Sequence, residues 1–380
     1  MKKVFIITGE VSGETYGANL SKQLKGLFPD IHIYGIGGPR MKAEGVELFG
    51  TITGAFGLTE TIGHLKTLRE NMKKTEEMLQ KERPDVVVLI DFPEFNMKVA
   101  QKAKQSGAKV LYYVAPQVWA WRRGRIKKIK ALCDRLAVIL PFEERLFREA
   151  SVDAEFVGHP IMEEVQKVKG SKALLREHFG LRPDVKTVAL LPGSRISELK
   201  RHLPLFIEVV EKLKKRYQSV QFILPLAPGL SRDAFSQEFD ILNAMDVKIL
   251  QGRATEAFII SDSALVASGT ATLQGALTGC PMVVVYKLFP LTYIIGRIVV
   301  RGVRHISLVN ILSGKEVVKE LLQWHATGEN VFREIVRTLE DDNLRAFMVE
   351  AFRKIRAFYE HKNPSLRVAQ MVGELAGWRS

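Results

Sequence analysis

Val188-Ala189-Leu190-Leu191-Pro192-Gly193-Ser194-Arg195 decides how this chain is read. The first four residues form an apolar run short enough for a buried strand. After the break, Glu198 to Arg201 and Leu203 to Tyr217 read as a helix with one wet and one dry face. A strand that stops at Pro-Gly-Ser and restarts as a helix leaves backbone N–H groups directed out of the loop, and a helix start favours anions. Arg195 adds a planar fork that grips phosphate at two points. Gly193, Ser194 and Arg195 therefore read as a diphosphate site. The alternative is a plain strand-to-helix turn whose arginine caps or pairs.

The flanking sequence repeats the pattern. Strands are expected at Gln221 to Leu224, Val247 to Leu250, Ala264 to Ala267 and Met282 to Tyr286, with helices between them, which makes a parallel sheet. Ser268-Gly269-Thr270-Ala271 is a second strand-end glycine loop opening a helix, Leu273 to Thr278. Two such loops in one sheet strengthen the phosphate reading. Asn310 to Gln323 reads as a further helix, and 343 to 378 as helical with Phe347, Phe352, Ile355, Phe358 and Tyr359 as anchors.

The first half has the same alternation. Val4 to Thr8 feeds Gly9-Glu10-Val11-Ser12-Gly13-Glu14 and a helix to Leu27, the opening of a doubly wound domain with its loop where ligands bind. The glycine spacing is not that of a dinucleotide fingerprint. Ile31 to Ile36 runs into Gly37-Gly38-Pro39-Arg40, a second candidate anion contact or a tight turn. Val86 to Ile90 is a run suited to a strand buried on both faces, and it delivers Asp91 at its carboxyl end. A carboxylate there suits acid–base chemistry, with a helix cap as the alternative. Lys109 to Val114 ends in a loop carrying Trp119, Trp121 and Arg122, followed by a basic run to Lys130. The tryptophans are either core or the lining of a sugar or lipid pocket. The boundary between the halves is expected near Pro160, giving domains 1–161 and 162–342 and a helical segment 343–380 that crosses back.

The chain has 380 residues, 46% hydrophobic and 26% charged, which is ordinary globular composition. Its net charge is +14, which points to an acidic partner: nucleotide, nucleic acid or anionic membrane surface. Two distant cysteines, Cys133 and Cys280, show neither a disulfide framework nor metal-ligand spacing and fit a reducing cytosol. The apolar start at Val4 is broken by Gly9-Glu10 and reads as a strand rather than a targeting segment. No apolar run is long enough to span a bilayer, so membrane contact is expected to be peripheral. Phe56, Leu58, Ile62 and Leu65, interleaved with Lys66 and Arg69, read as a surface helix packed on the sheet or as an interfacial docking helix. The run from Lys287 to Leu308, rich in Ile and Arg, is open between core and membrane-facing helix.

Seven motifs then stand in one order: the 9–14 loop, Gly38-Pro39-Arg40-Met41, Ile90 to Asn96, Val118-Trp119-Ala120-Trp121-Arg122, Leu191 to Arg195, Ser268-Gly269-Thr270-Ala271, and Leu308 to Gly314. Together they resemble the lipid-A-disaccharide synthase family, family 19 of the glycosyltransferases. The resemblance implies a GT-B architecture, two Rossmann-like domains with parallel sheets facing across a cleft. It implies transfer from UDP-2,3-diacylglucosamine to 2,3-diacylglucosamine 1-phosphate (lipid X), with inversion to a β-1,6 bond and release of UDP.

It also implies no metal or other cofactor, a homodimer, and a cytoplasmic location at the inner membrane's anionic surface. Asp91 is the expected base, with Glu10 and Glu14 as runners-up. Arg195 and the two glycine loops would hold the donor, with Gln274 and Asn310. Ser12, Gly13, Arg40, Trp119, Trp121 and Arg122 would meet the acceptor. Two positions depart from the family: Glu14 replaces its usual Asp, and Gln274 its usual Glu, keeping an acceptor without the charge.

A UDP-sugar 2-epimerase uses the same two-domain fold, and fold alone does not choose between them. The Trp-Ala-Trp loop, the lipid-suited apolar stretches and the first glycine loop favour the transferase. A nucleic-acid-binding role is disfavoured, since no RRM, KH or zinc pattern occurs and the basic residues flank apolar helices.

Overall fold

The computed structural model describes residues 1–51, 61–121, 124–288 and 304–379, with the backbone alone at 11, 61–65, 120 and 121. The chain forms two compact units, Met1–Pro160 with Lys362–Ser380, and Ile161–His361.

The first unit alternates strand and helix: β1 (Lys2–Thr8), α1 (Val11–Leu27), β2 (Ile31–Gly37), α2 (Pro39–Ala43), β3 (Glu47–Thr51), α3 (Thr61–Glu82), β4 (Val86–Ile90), α4 (Pro93–Gln105), β5 (Lys109–Tyr113), α5 (Val118–Trp121), α6 (Arg125–Leu132), β6 (Arg135–Val138), α7 (Pro141–Glu149) and β7 (Ala154–Phe156). The strands form one sheet in the order β3-β2-β1-β4-β5-β6-β7, and every pair is parallel. All five residues of β4 are buried, as required of a strand with helices over both faces. The order reverses between β1 and β4, so the loops that follow them open at the switch point where such sheets bind ligands.

The second unit contains α8 (Ile161–Lys167), α9 (Lys172–His178), β8 (Thr187–Leu191), α10 (Ile196–Arg216), β9 (Gln221–Leu226), α11 (Ser236–Ala244), β10 (Val247–Gln251), α12 (Ala254–Ile260), β11 (Ser263–Ala267), α13 (Thr270–Thr278), β12 (Met282–Tyr286), α14 (Leu308–Ser313), β13 (Lys319–Leu322), α15 (Gly328–Glu340) and α16 (Asp342–Ala357). Its sheet is parallel throughout, in the order β10-β9-β8-β11-β12-β13. Here the switch point lies between β8 and β11. These are the strands that carry the two glycine loops.

Two sequence expectations are corrected here. The helix expected from Asn310 to Gln323 stops at Ser313, where Gly314 takes a left-handed cap with φ 66. The chain turns and Lys319–Leu322 adds a strand beside β12. The C-terminal segment is also divided. The amphipathic α16 stays with the second unit, burying Phe352 and Ile355 against α13, α14 and α15, with Tyr359 buried just beyond its end. Phe347 and Phe358, expected as anchors, are 43% and 46% exposed.

Only the last helix, α17 (Pro364–Ala376), joins the first unit, where it packs on α1. An ion network fixes it there. Arg367 Nη2 lies 2.9 Å from a Glu155 carboxylate oxygen, Arg367 Nη1 2.7 Å from Glu374, and Arg135 Nη2 2.7 Å from Glu155. Hydrogen bonding from Arg367 holds the Glu155 carboxyl below its ordinary value. Cys133 and Cys280 are both buried free thiols.

Candidate active site

In the second unit, β8 ends at Leu191 and the chain crosses Pro192–Arg195 before α10 begins with Arg195 as its N-cap. Gly193 sits at φ 129, a region that L side chains rarely adopt. Its α-carbon also lies directly under the Glu198 carboxylate, which would overlap any Cβ there. Glu198, in the first turn of α10, accepts the Ser194 N–H at 2.8 Å. The sequence reading had the loop's N–H groups open to an anion; one of them is already taken by the chain's own carboxylate. The Arg195 guanidinium lies 3.8 Å from the same carboxylate and is 54% exposed. Such an exposed pair is weak.

One turn further along α10, His202 is fully buried and was missed by the sequence reading. Its Nδ1 lies 2.7 Å from the Pro192 carbonyl oxygen, and its Nε2 lies 3.0 Å from the backbone nitrogen of Lys287. A carbonyl only accepts and an amide N–H only donates, so Nδ1 carries the proton and Nε2 is the acceptor. Burial holds the pKa of this ring down at about 4, so it is neutral at physiological pH.

The partner loop follows β11. The Ser268 hydroxyl donates to the Ile306 carbonyl at 3.1 Å, and its N–H to the Val285 carbonyl at 3.0 Å. Gly269 and Thr270 are exposed at the start of α13, and nothing stands within 4 Å of where a Gly269 Cβ would be. Ala271 is half-buried in the same first turn. The Gln274 side-chain nitrogen donates to Thr255 Oγ1 at 2.7 Å, which commits its amide donor to α12 and leaves its carbonyl as the acceptor.

Asn310, expected at the donor, is instead a structural residue. It is fully buried, and its Nδ2 donates to the Val318 carbonyl at 2.9 Å and to Glu320 at 2.8 Å. Its Oδ1 accepts the Val317 and Val318 N–H groups at 2.7 and 3.0 Å. All four of its hydrogen-bonding positions are occupied, so none remains for a ligand or a second subunit. This lock turns the chain out of α14 into β13.

In the first unit, backbone strain gathers at the carboxyl ends of two neighbouring strands. Asp91 and Phe92 follow β4 with φ of 50 and 49, and Val114 follows β5 with φ 60. Left-handed geometry is costly at residues other than glycine, most of all at a β-branched one. It is held in place from outside. The Asp91 carbonyl accepts from Asn96 Nδ2 at 2.7 Å and from the Tyr112 hydroxyl at 2.7 Å, while its N–H donates to the Tyr113 carbonyl at 3.2 Å. The N-cap of α4 is Phe92, so Asp91 is not the capping residue. Phe92 packs across Gly9, which joins this turn to the loop after β1.

Glu10 is the half-buried N-cap residue of α1, and Ser12 is exposed in its first turn. Gly13 is buried beside Thr8 and Ile90. Glu14, a runner-up for the base, is revised to a scaffolding role. It is buried against Gly38, and its carboxylate accepts the Arg40 N–H at 2.8 Å, capping the start of α2. The Arg40 guanidinium is exposed and donates to Thr15 Oγ1 at 2.8 Å.

Trp119 is half-buried, stacks edge-to-face on Phe142 and donates its indole N–H to Glu143 at 3.0 Å. Glu143 is buried, also accepts the Leu140 N–H at 3.1 Å, and is pushed up to about 7 by that burial. It too was missed by the sequence reading. The side chains of Trp121, Ile62 and Leu65, and the whole of Arg122, Phe56 and Leu58, expected at the acceptor and the membrane, lie outside what the structure describes. Lys66 and Arg69 are exposed on α3. Among the described residues, no group of three or more His, Cys, Asp or Glu could hold a metal ion, and no helix is long and apolar enough to cross a membrane.

Several structures share this two-unit fold. They include the S. aureus MnaA–UDP co-structure, with TM-score 0.68, 12% identity and coverage of 100% of this chain and 98% of that one. Another is a UDP-GlcNAc 2-epimerase from Neisseria meningitidis bound to UDP-GlcNAc, with TM-score 0.69, 12% identity and coverage of 98% and 100%. At such identity they speak for the fold alone. Sequence decides the family: the lipid-A-disaccharide synthetase family model matches residues 4–371.

The chain belongs to the lipid-A-disaccharide synthase family. The synthase of Syntrophus aciditrophicus (strain SB) is 42% identical over 357 residues, 93% of each chain. That of Geobacter metallireducens is 40% identical over 379 residues, covering 99% of this chain and 98% of the relative. Membership makes this a glycosyltransferase of lipid A disaccharide synthesis, and sets aside the epimerase reading that fold alone left open.

Proposed function

We propose that the chain transfers 2,3-diacylglucosamine from its UDP carrier to the 6-hydroxyl of 2,3-diacylglucosamine 1-phosphate. The observation that carries this reading is the pair of glycine loops on β8 and β11, strands that neighbour each other at the switch point of the second sheet. Each loop opens a helix of at least nine residues, and Arg195 stands on one of them. Both helix starts favour a diphosphate, and the guanidinium supplies positive charge opposite the negative charge that develops on the leaving UDP.

Asp91 takes the proton of the acceptor hydroxyl. The new bond forms between that oxygen and the anomeric carbon while the bond from that carbon to the β-phosphate oxygen breaks, its electron pair leaving with UDP. Attack opposite the leaving group turns an α donor into a β product. The strained, externally braced turn at Asp91 and Phe92 supports this choice, since such strain collects at functional positions. Mass spectrometry of a reaction containing both lipids and purified protein tests the reading. Disaccharide 1-phosphate and UDP in equal amounts support it; a donor mass that stays unconsumed with no disaccharide or UDP formed contradicts it.

Both substrates carry acyl chains, so the reading includes peripheral docking on the cytoplasmic face of the inner membrane through the region around Lys66 and Arg69. Basic side chains near an anionic surface contribute about 1 kcal/mol each. Lys66→Glu with Arg69→Glu should weaken binding to anionic vesicles without changing the melting temperature; unchanged vesicle binding moves the docking face elsewhere. A homodimer, suggested by the family, is tested by light scattering, and a fully active monomer refutes it.

A further inference from the structure

We propose that His202 is a positioning residue for glycosyl transfer: it braces the Pro192–Arg195 loop against the exit of β12 and so holds the donor loops of the second unit in one fixed rim. The inference rests on the reading of these loops as the diphosphate site. Its basis is geometric. The ring donates from Nδ1 to the Pro192 carbonyl and accepts at Nε2 from the Lys287 N–H, at 2.7 and 3.0 Å. Pro192 follows β8 and Lys287 follows β12, and these strands lie on either side of β11. The loop after β11 is tied to the same strand, because the Ser268 N–H donates to the Val285 carbonyl of β12. The imidazole thus links the loops after β8 and β12, and the Ser268 bond ties the loop after β11 to the same β12.

The brace is built to be rigid. His202 is fully buried, with the Phe206 and Tyr286 rings 6.4 and 5.9 Å away. Each ring nitrogen has one partner of fixed polarity, so a single neutral tautomer satisfies both. His202 stands one helical turn after Glu198, whose carboxylate holds the Ser194 N–H. The two side chains of α10 therefore grip the loop on either side of Gly193, at Pro192 and at Ser194. A loop ordered before the diphosphate arrives loses less entropy on binding.

Two substitutions separate the tethers. His202→Asn places an amide nitrogen near the Nδ1 position and keeps the Pro192 bond; His202→Gln places an oxygen near the Nε2 position and keeps the Lys287 bond. His202→Leu removes both. Calorimetric titration with UDP and steady-state kinetics with both lipids give the readout. His202→Leu should raise the UDP Kd and the donor KM together by about tenfold, leaving the acceptor KM within about twofold, as expected for loss of two buried hydrogen bonds on the donor side alone. Asn and Gln should each recover part of the loss.

A folded His202→Leu protein with wild-type UDP affinity and donor KM overturns the brace, and so do Asn and Gln variants no better than Leu. Should Leu fail to fold, the wild-type tautomer decides. Nitrogen-15 NMR should report a neutral His202 ring protonated at Nδ1, and a ring protonated at Nε2 overturns the inference. Arg195→Ala, titrated alongside, separates this failure from that of the donor site. If it too binds UDP normally, the site itself is misplaced; if it alone weakens UDP, only the brace is wrong.

Discussion

The Glu198 carboxylate accepts the backbone N–H of Ser194 at 2.8 Å, across a Gly193 that has no room for a side chain. The protein thus keeps an internal acid at the mouth of this loop. Glu198→Ala should lower kcat/KM for the UDP donor by about fivefold, because one shaping hydrogen bond is worth roughly 1 kcal/mol. Glu198→Gln, which keeps a carbonyl in place, should stay within about threefold of wild type. Equal losses in the two variants would mean that charge, not the hydrogen bond, is what the loop needs.

Arg195 is 54% exposed, and its contact with Glu198 is a long one. Its contribution should appear in the reaction rather than in stability. Arg195→Ala should reduce turnover more than about a hundredfold, the scale of a guanidinium clamp on developing phosphate charge, with the melting temperature unchanged. Arg195→Lys should recover only part, since the fork is lost. Near-normal turnover in Arg195→Ala places the donor elsewhere.

Asp91 is held by its backbone, through Asn96, Tyr112 and Tyr113, so exchanging its carboxylate for an amide leaves those bonds intact. Asp91→Asn should fold, bind UDP with wild-type affinity, and lose about a hundredfold or more in kcat, as expected for a positioned base. Glu10→Gln should cost less. The reverse order of effects would reassign the base to Glu10.

Glu143 gives a pH signature. Its ordinary value of 4.5 is pushed up to about 7 by burial, against the opposing hydrogen bonds from Leu140 and Trp119. Between these values the folded protein holds a proton that the unfolded chain has released. The stabilisation is therefore complete below 4.5 and is lost as pH rises through 7. Urea unfolding should show the stability of wild type relative to Glu143→Gln falling by up to about 3 kcal/mol from about pH 4 to about pH 8. Burial lowers His159 and His202 to about 3 and about 4, so they weaken the fold as pH falls below 6.5; this occurs in both proteins and cancels in the difference. A pH-independent difference would mean that Glu143 titrates normally.

Strands and loops were legible because buried parallel strands write themselves as apolar, often β-branched runs such as Val86 to Ile90, which delivers Asp91 at the sheet's carboxyl edge. What escaped was set by partners far along the chain. His202 stands in Lys200-Arg201-His202, which reads as a wet helix face, and its partners Pro192 and Lys287 are backbone groups with no sequence signature. Glu143 is followed at once by Glu144 and Arg145, and nothing in that stretch shows that Trp119, 24 residues earlier, donates to it. Asn310 misled in the other direction: a polar residue in a motif looks like a ligand contact, yet the turn into β13 uses all its hydrogen bonds. Glu14 did the same, its acid lying against Gly38 as a cap.

The most direct test of the account is the anomeric configuration of the product, read by proton NMR after incubating purified protein with the α-linked UDP-2,3-diacylglucosamine and 2,3-diacylglucosamine 1-phosphate. A single displacement with Asp91 as base predicts one product, a disaccharide joined to the acceptor's 6-position, with the diaxial H1–H2 coupling of a β linkage. An α-linked disaccharide, or a donor altered only in its own sugar ring while the acceptor is untouched, would contradict it.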